Sequence, residues 1–481
     1  MNKKIMLFLI LLVSIVSIRC VSAANMTDVD LTVLSDSDDS LDIEDSISVS
    51  DNRNDGGERP MMELPRDYDK KKNKTIEIIG PKIPANYSNT EIIAPKINRS
   101  GTFEELQSLI DNAESWDTVV LNKDYYGKKK AKIIVNKNLT IDGRGHTIDC
   151  KSAEDCIAFY STMGQVTLMN LYITNGYNDD NYKGGAIFIG KEAKYSIINC
   201  KFINNWADDY GGAIYNAGPN ALFIRDSLFS GNEADDDDGG AIFSNGAVEA
   251  INTTFKYNNA NDYCGAVYIN CNKYSSFKDC LFKFNEACDD SGGAIYSKGE
   301  LYLKYCTLES NEAKVDGGAV YAENVCINRY SSKSEPSVFL YNEAEDNDGG
   351  AVYADNTVKV FGTEFWHNSA YENGGAMYCD NAYVSNSNFG NNKAMGAKIE
   401  ECEGGAIYAD SDVYLYENCS FMSNEAEHHG GIDAEDLYLC HPSVKFLGNR
   451  AVKDLPYGYF WYGNSSLALN HDVDADIHIR F

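Results

Sequence analysis

Two short phrases of apolar and small residues alternate along the chain between residues 184 and 451. The first is Gly-Gly-Ala followed by Ile, Val or Met, and the second is Phe-x-x-Asn-x-Ala. Nine intervals separate Gly185 from Gly431, so the mean period is about 27 residues, within the range typical of a repeat array. The stretches between turns are short and rich in Val, Ile, Tyr and Phe, which favours strands. The pattern therefore predicts a parallel β-helix with one coil per repeat.

The physics of stacked coils explains which residues recur. Strands of successive coils lie about 4.8 Å apart, so equivalent residues form ladders. The phenylalanine would stack inside, the Gly-Gly pair would form a corner that needs positive φ or close packing, and the asparagine would bond its neighbours above and below at a turn. The sequence thus predicts an all-β solenoid of about 13 coils. Its structural ladder would contain Asn205, Asn232, Asn258, Asn285, Asn311, Asn342, Asn368, Asn392, Asn424 and Asn449.

Order is predicted to begin at residue 101. In the segment GTFEELQSLIDNA, Thr102 and Glu105 fit a capping box. Phe103, Leu106 and Ile110 fall on one helical stripe. Because only strand-like segments follow, this short helix is expected to cover the first coil. The β-helix domain is therefore assigned to residues 101–481, with the two-phrase repeats at 184–451.

The N-terminal segment has a different composition. Residues 1–24 combine two lysines, an apolar run from Ile5 to Ile18 and a small-residue cleavage site at Val21–Ala23, which predicts a secretory signal peptide. Residues 25–100 are acidic and of low complexity, and we expect a disordered linker with an extended segment or two. No second apolar run of membrane-spanning length follows, so the mature chain is expected to be exported without a transmembrane segment.

Charge limits the partners and raises the question of a metal. The formal net charge is −30, from 72 acidic and 42 basic residues, which argues against nucleic acid or an anionic membrane as partner. The acidic residues recur before the glycine corners, most densely at Asp235, Asp236, Asp237 and Asp238. A solvated edge is the favoured interpretation. Weak calcium binding between neighbouring coils is the second, and a cation site for catalysis the third.

An aromatic residue follows the apolar residue of nearly every first phrase. If that apolar residue points inward, alternation places the aromatic side chain outside, where a row of rings could bind a glycan or a protein. If instead the aromatic side chains point inward, the row would be part of the hydrophobic core. The candidate ligand face comprises Tyr215, Tyr268, Tyr296, Tyr321, Tyr353, Tyr378 and Tyr408.

The cysteines are spread through the array, and two of them share a repeat position. Cys280 and Cys306 each lie two residues before the second phrase. They are expected to stack on adjacent coils, within the Cα spacing that a disulfide needs. A disulfide between them is possible.

The coupled phrases GGAIY and FxxNxA resemble the repeat of the chlamydial polymorphic outer-membrane proteins and the adhesin-like proteins of methanogenic archaea. The segment from Thr102 to Asp149 is similar to the N-terminal cap of pectin-lyase-like β-helices. The resemblance covers residues 101–481 and implies a right-handed β-helix at a cell surface. It implies an adhesin-like protein that binds a glycan or protein of another cell.

A carbohydrate-active enzyme is the alternative, because polysaccharide lyases and glycosidases also use this fold. A hydrolase needs a single carboxylate pair roughly 5–10 Å apart, whereas the acids here recur once per coil. We therefore predict a secreted, non-catalytic protein, with no catalytic residue and no cofactor other than possible weakly bound Ca²⁺.

Overall fold

The structure is a computed structural model, and it describes residues 91–93, 100–179, 183–328, 336–396, 402–452, 460–462, 465–467 and 473–479. All of them belong to one compact unit, Glu77–Phe481. The predicted signal peptide and almost all of the predicted linker lie outside these residues. So do residues 329–335 and 397–401. No helix of the described chain is both long enough and apolar enough to cross a membrane.

Three parallel sheets run along the described solenoid. The first sheet contains Glu91–Ile93, Thr118–Val120, Lys132–Ile134, Leu139–Asp142, Ile157–Met169, Ile187–Ile198, Ile214–Asn216, Leu222–Arg225, Ile242–Ser244, Val248–Ile251, Val267–Ile269, Ser275–Lys278, Ile295–Lys304, Val320–Ile327, Val352–Phe361, Met377–Ser385, Ile407–Leu415, Ile432–Leu439 and Val473–Ile479. The second contains Gly101–Thr102, Tyr125–Tyr126, Thr147–Asp149, Tyr172–Thr174, Lys201–Ile203, Leu228–Ser230, Thr254–Lys256, Leu281–Lys283, Thr307–Glu309, Ser337–Leu340, Thr363–Trp366, Asn388–Gly390, Ser420–Met422 and Lys445–Leu447. The third contains Tyr177–Asn178, Trp206–Ala207, Glu233–Ala234, Asn259–Ala260, Glu286–Ala287, Glu312–Ala313, Glu343–Ala344, Ser369–Ala370, Lys393–Ala394, Glu425–Ala426 and Arg450–Ala451. A separate antiparallel pair joins Phe460–Tyr462 to Ser465–Leu467.

The first coils contribute strands to the first and second sheets only, and from Tyr177 onward each coil of the repeat array visits all three sheets in order and pairs in parallel with the next. The second-phrase phenylalanines show this most clearly, since Phe202 pairs with Phe229 and Phe229 with Phe255. Their rings are fully buried and stack at centroid distances of 4.6 and 5.0 Å. The all-β parallel solenoid of about 13 coils predicted from the sequence is thereby confirmed. Its right-handedness stays a prediction.

The Gly-Gly pair forms the corner between the third sheet and the first. Gly349 has φ +67°, in the left-handed region that glycine adopts without strain. A Cβ on Gly350 would lie 2.2 Å from the carbonyl oxygen of Gly375 on the next coil. The two glycines therefore meet different requirements: the first needs the unusual dihedral angle, and the second leaves room for the neighbouring backbone.

The helix Phe103–Asn112 precedes the repeats. The hydroxyl of Thr102 accepts a hydrogen bond from the backbone N–H of Glu105, as the capping box predicts. Phe103, Leu106 and Ile110 are buried in the main core. Upstream, within the segment predicted as linker, Glu91–Ile93 pairs in parallel with Thr118–Val120.

Candidate functional site

A continuous row of stacked aromatic rings runs along the outer face of the first sheet. Each ring follows an inward-facing Ile, Val or Met, or Phe159 in the case of Tyr160, so strand alternation turns it outward. Neighbouring ring centroids lie 4.7–5.7 Å apart, and most ring planes are within 15° of parallel. The row contains Tyr160, Phe188, Tyr215, Phe243, Tyr268, Tyr296, Tyr321, Tyr353, Tyr378 and Tyr408.

The row differs in exposure along its length. Tyr215 and Tyr268 are only 9% and 5% exposed, because Tyr210 and Tyr263 from the corners pack against this part of the row. These two tyrosines therefore do not belong to an exposed ligand face, contrary to one expectation from the sequence. Tyr296, Tyr321, Tyr353, Tyr378 and Tyr408 are half-buried and form the accessible part, which we call the tyrosine strip.

Ring stacking decides what the tyrosine strip can offer a ligand. The faces of Tyr353 are covered by Tyr321 and Tyr378, so ring edges and phenol hydroxyls remain at the surface. Two of these hydroxyls donate hydrogen bonds to carboxylates, Tyr321 to Asp355 at 2.7 Å and Tyr378 to Asp410 at 3.1 Å. The strip therefore suits hydrogen bonding to a hydroxyl-rich or polar ligand and leaves little ring face for stacking on a sugar.

The phenols of the strip stay protonated at neutral pH. Burial raises the pKa of Tyr321 and Tyr378 well above the usual value, and the neighbouring carboxylates Asp355 and Asp410 raise it further. Burial, then Asp433, raises the pKa of Tyr408 to about 12. Each hydroxyl therefore keeps its proton, and those of Tyr321 and Tyr378, which donate to Asp355 and Asp410, offer a ligand their acceptor lone pairs.

The acidic corner has a structural role that the sequence prediction did not include. A side-chain oxygen just before the Gly-Gly pair accepts the backbone N–H of the equivalent residue on the next coil. Asp316 accepts from Asp348 at 3.2 Å, and Asp348 accepts from Asn373 at 2.8 Å. Asp238 accepts from Tyr263 at 3.3 Å. These acids therefore join one coil to the next.

Burial also changes the ionisation of the corner acids. It raises the pKa of Asp238 to about 7, with Asp237 as the next cause, and that of Asp348 to about 7. Of the four aspartates proposed as weak calcium ligands, Asp237 and Asp238 lie with Asp262 in a group whose oxygens are within 4.8 Å of one another. Asp235 and Asp236 are exposed and outside this group. Calcium binding here stays a prediction.

The asparagine row lies inside the solenoid at the bend between the second and third sheets. In a typical coil, Asn285 Nδ2 donates to Asn311 Oδ1 at 2.9 Å and to the carbonyl oxygen of Phe255 at 3.0 Å. Its own Oδ1 accepts from the Nδ2 and the backbone N–H of Asn258 at 2.9 and 3.2 Å. The amide thus bonds the backbone of the preceding coil as well as its neighbours in the row. The same pattern continues from Asn205 to Asn449.

Cys280 and Cys306 are both thiols in the structure, without a disulfide between them. Cys280 and Cys306 occupy equivalent positions on adjacent coils, since the following residues Leu281 and Thr307 are register partners. Both are buried, and burial, followed by the neighbouring Cys306 thiol, raises the pKa of Cys280. A disulfide between them stays a prediction.

Sequence reasoning missed a second set of aromatic side chains. Tyr257, Phe284 and Tyr341 are 56%, 40% and 54% exposed and lie at the outer turn with φ near +55°. Each occupies the position immediately before the asparagine of the second phrase, where the other coils carry Asn, Gly, Ser or, once, His367, which stacks on Tyr341 at 4.9 Å. Tyr257 stacks on Phe284 at 5.1 Å. The available signal was a ring at a repeat position that holds Asn, Gly or Ser in six of the coils.

Comparison with known proteins supports the repeat assignment. The model of the Chlamydia polymorphic membrane protein (Chlamydia_PMP) repeat matches residues 199–217 and 226–245, each containing one second phrase and the following first phrase. The chain is 27% identical to the probable autotransporter YfaL of Escherichia coli (strain K12) over 165 residues, which are 33% of this chain and 12% of that protein. It is 31% identical to metabotropic glutamate receptor-like protein R of Dictyostelium discoideum over 150 residues, which are 30% of this chain and 9% of that protein.

The matched regions are short relative to these proteins. The alignments span about a tenth of the length of the curated relatives. Among solved structures, an alginate lyase in complex with G6 aligns over 81% of this chain and 94% of its own, with 12% identity and a TM-score of 0.33. The chain is therefore similar, over residues 199–217 and 226–245, to the repeat of the chlamydial polymorphic membrane proteins, and in part to a probable autotransporter.

Proposed function

We propose that this chain is a secreted or cell-surface, adhesin-like protein that binds a glycan or protein of another cell without catalysing a reaction. The observation that carries the proposal is the tyrosine strip, an accessible row of hydroxyls that continues over successive coils beside Asp355 and Asp410. A periodic strip of this kind matches an extended ligand with repeated polar groups. The resemblance to adhesin-like proteins of methanogenic archaea, with a pectin-lyase-like right-handed fold, belongs to the same proposal.

The distribution of acidic groups supports binding over catalysis. Glycoside hydrolysis needs one acid and one base or nucleophile at a single place. Here the corner carboxylates of Asp238, Asp316 and Asp348 recur on separate coils, and each accepts a backbone hydrogen bond from the next coil. These hydrogen bonds give the three carboxylates a structural role, which is to connect successive coils of the solenoid.

Surface exposure is supported by the repeat match and by the similarity to a probable autotransporter. The net charge of −30 favours neutral or cationic ligands and disfavours nucleic acid, because an anionic partner would be repelled.

A paired assay tests the proposal. The full chain is immobilised and screened against a glycan array and intact cells, and the same preparation is incubated with soluble polysaccharides whose chain length is followed by chromatography. Saturable binding with unchanged chain length is the expected result. Shortened polysaccharide would contradict the non-catalytic assignment, and the absence of binding to every glycan and cell would contradict adhesion.

A further inference from the structure

The far end of the tyrosine strip carries a different chemistry from the rest of the row. In the first sheet, Tyr408 is in register with Asp433 on the next coil, so a carboxylate stands where an aromatic ring would continue the stack. On the same coil, His429 occupies the corner position before Gly430. Its counterpart on the preceding coil is Glu403, before Gly404. Three side chains that can bind a metal thus lie at one place: Glu403 and His429 before their glycines, and Asp433 where the aromatic row would continue.

The three side chains converge. Glu403, His429 and Asp433 each contribute one donor atom, and these atoms all lie within 4.8 Å of one another. His429 Nδ1 is 2.5 Å from Asp433 Oδ2. Both of these side chains are shielded from water, with exposed fractions of 17% and 16%, which separates this cluster from the exposed acidic pairs elsewhere on the surface.

The backbone under the cluster is fixed by coil-to-coil hydrogen bonds. The N–H of Glu403 donates to Asn373 Oδ1 at 3.0 Å, and the N–H of Gly405 donates to the carbonyl oxygen of His429 at 3.1 Å. Tyr408, the last ring of the tyrosine strip, is in register with Asp433 on the next coil, so the strip ends at the cluster. The donors are thus held by the same ladder that builds the solenoid.

We propose that Glu403, His429 and Asp433 form a binding site for a divalent transition-metal ion of the Zn²⁺ class, which joins two successive coils. One imidazole nitrogen with two carboxylate oxygens suits zinc, whereas calcium and magnesium prefer oxygen ligands alone. With metal–ligand bonds of about 2.1 Å, tetrahedral donors lie about 3.4 Å apart, a spacing that small side-chain rotations can reach from the observed cluster.

Binding of the metal ion displaces a proton and changes no oxidation state. The metal replaces the hydrogen in the contact between His429 and Asp433, and that proton moves to Nε2 of a neutral ring or to solvent. Three protein ligands leave a fourth position for water or for a polar group of a ligand on the adjoining tyrosine strip. The site is argued from the cluster alone and does not depend on adhesion.

Isothermal titration of the chelator-treated full chain with ZnCl₂, and separately with CaCl₂, tests the proposal. One saturable Zn²⁺ site is expected, weakened about tenfold or more by His429→Gln and by Asp433→Asn. His441→Gln is the matched control, because it removes an exposed imidazole outside the cluster, and Asp237→Asn controls for the purely acidic group. Both controls are expected to keep the site.

A second readout guards against misfolded variants. The wild-type chain loaded with Co²⁺ is expected to show visible absorption that differs from the aqueous ion and disappears on adding Zn²⁺. The proposal is wrong if Zn²⁺ does not saturate, if His429→Gln and His441→Gln bind equally, if Ca²⁺ displaces Zn²⁺ at similar concentrations, or if the Co²⁺ spectrum matches the aqueous ion.

Discussion

Replacing Asn285 with alanine removes one member of the buried asparagine row. Its Oδ1 accepts the backbone N–H and one Nδ2 hydrogen of Asn258. After the substitution both donors face a methyl group, although Asn258 Nδ2 keeps its bond to the carbonyl oxygen of Phe229. A buried unsatisfied donor costs about 1–3 kcal/mol, so two donors lower the free energy of unfolding by about 2–6 kcal/mol.

Urea unfolding followed by circular dichroism measures this loss. The Asn285→Ala variant is expected to unfold at a lower urea concentration with an unchanged m value, since the surface exposed on unfolding stays the same. Asn272→Ala is the matched control because Asn272 is exposed, and such surface changes stay within about 0.5 kcal/mol. Equal urea midpoints for Asn285→Ala and Asn272→Ala would contradict the contribution of the buried asparagine row to the free energy of unfolding.

The remaining predictions concern charge and sulfur. Burial raises the pKa of Asp238 to about 7 in the folded protein, compared with about 3.9 in the unfolded chain. Between these two pH values the folded protein binds more protons than the unfolded chain. The free energy of unfolding therefore falls as pH rises from about 3.9 to about 7. Thermal melts of Asp238→Asn are therefore expected to lose less stability than wild type between pH 5 and pH 8; equal losses would contradict the raised pKa. Calcium is expected to raise the melting temperature no more than sodium at matched ionic strength; a saturable calcium-specific rise, abolished by changing Asp235–Asp238 to Asn, would contradict screening. Non-reducing peptide mass spectrometry of the exported chain is expected to find Cys280 linked to Cys306, and finding both as free thiols would exclude the disulfide.

Sequence repetition is the reason that much of the fold was predictable. Phe229 and Asn232 recur with fixed spacing, so their ladders follow from stacking identical coils. The outward position of the aromatic row follows from strand alternation after the buried Ile or Val. Each of these features depends on a rule that applies equally to every coil.

Features that belong to single coils were harder to predict. The burial of Tyr215 depends on Tyr210, which packs over it from the corner of its own coil. The cluster of Glu403, His429 and Asp433 combines residues of two coils, and His429 and Asp433 are residue types found once at their repeat positions in the described chain. In the sequence, the only indication of this cluster is the phrase GGID at Gly430–Asp433, which has an aspartate where other first phrases are followed by an aromatic residue. The pairing of the strands is needed to show that the three side chains lie together.

The tyrosine strip is tested most directly by removing its hydroxyls while keeping its rings. The full chain with Tyr321, Tyr353 and Tyr378 changed together to Phe should fold normally, because Phe188 and Phe243 already occupy this row. A matched triple Tyr→Phe control removes exposed hydroxyls away from the strip, at Tyr257, Tyr274 and Tyr341.

Binding affinity for the glycan or cell ligand found by screening is the quantity to compare. At about 0.5–1.5 kcal/mol per hydrogen bond, losing three hydroxyls is expected to weaken binding by about tenfold or more, while the control triple binds like wild type. Wild-type affinity in the strip variant would contradict the account, and so would an equal loss in the control.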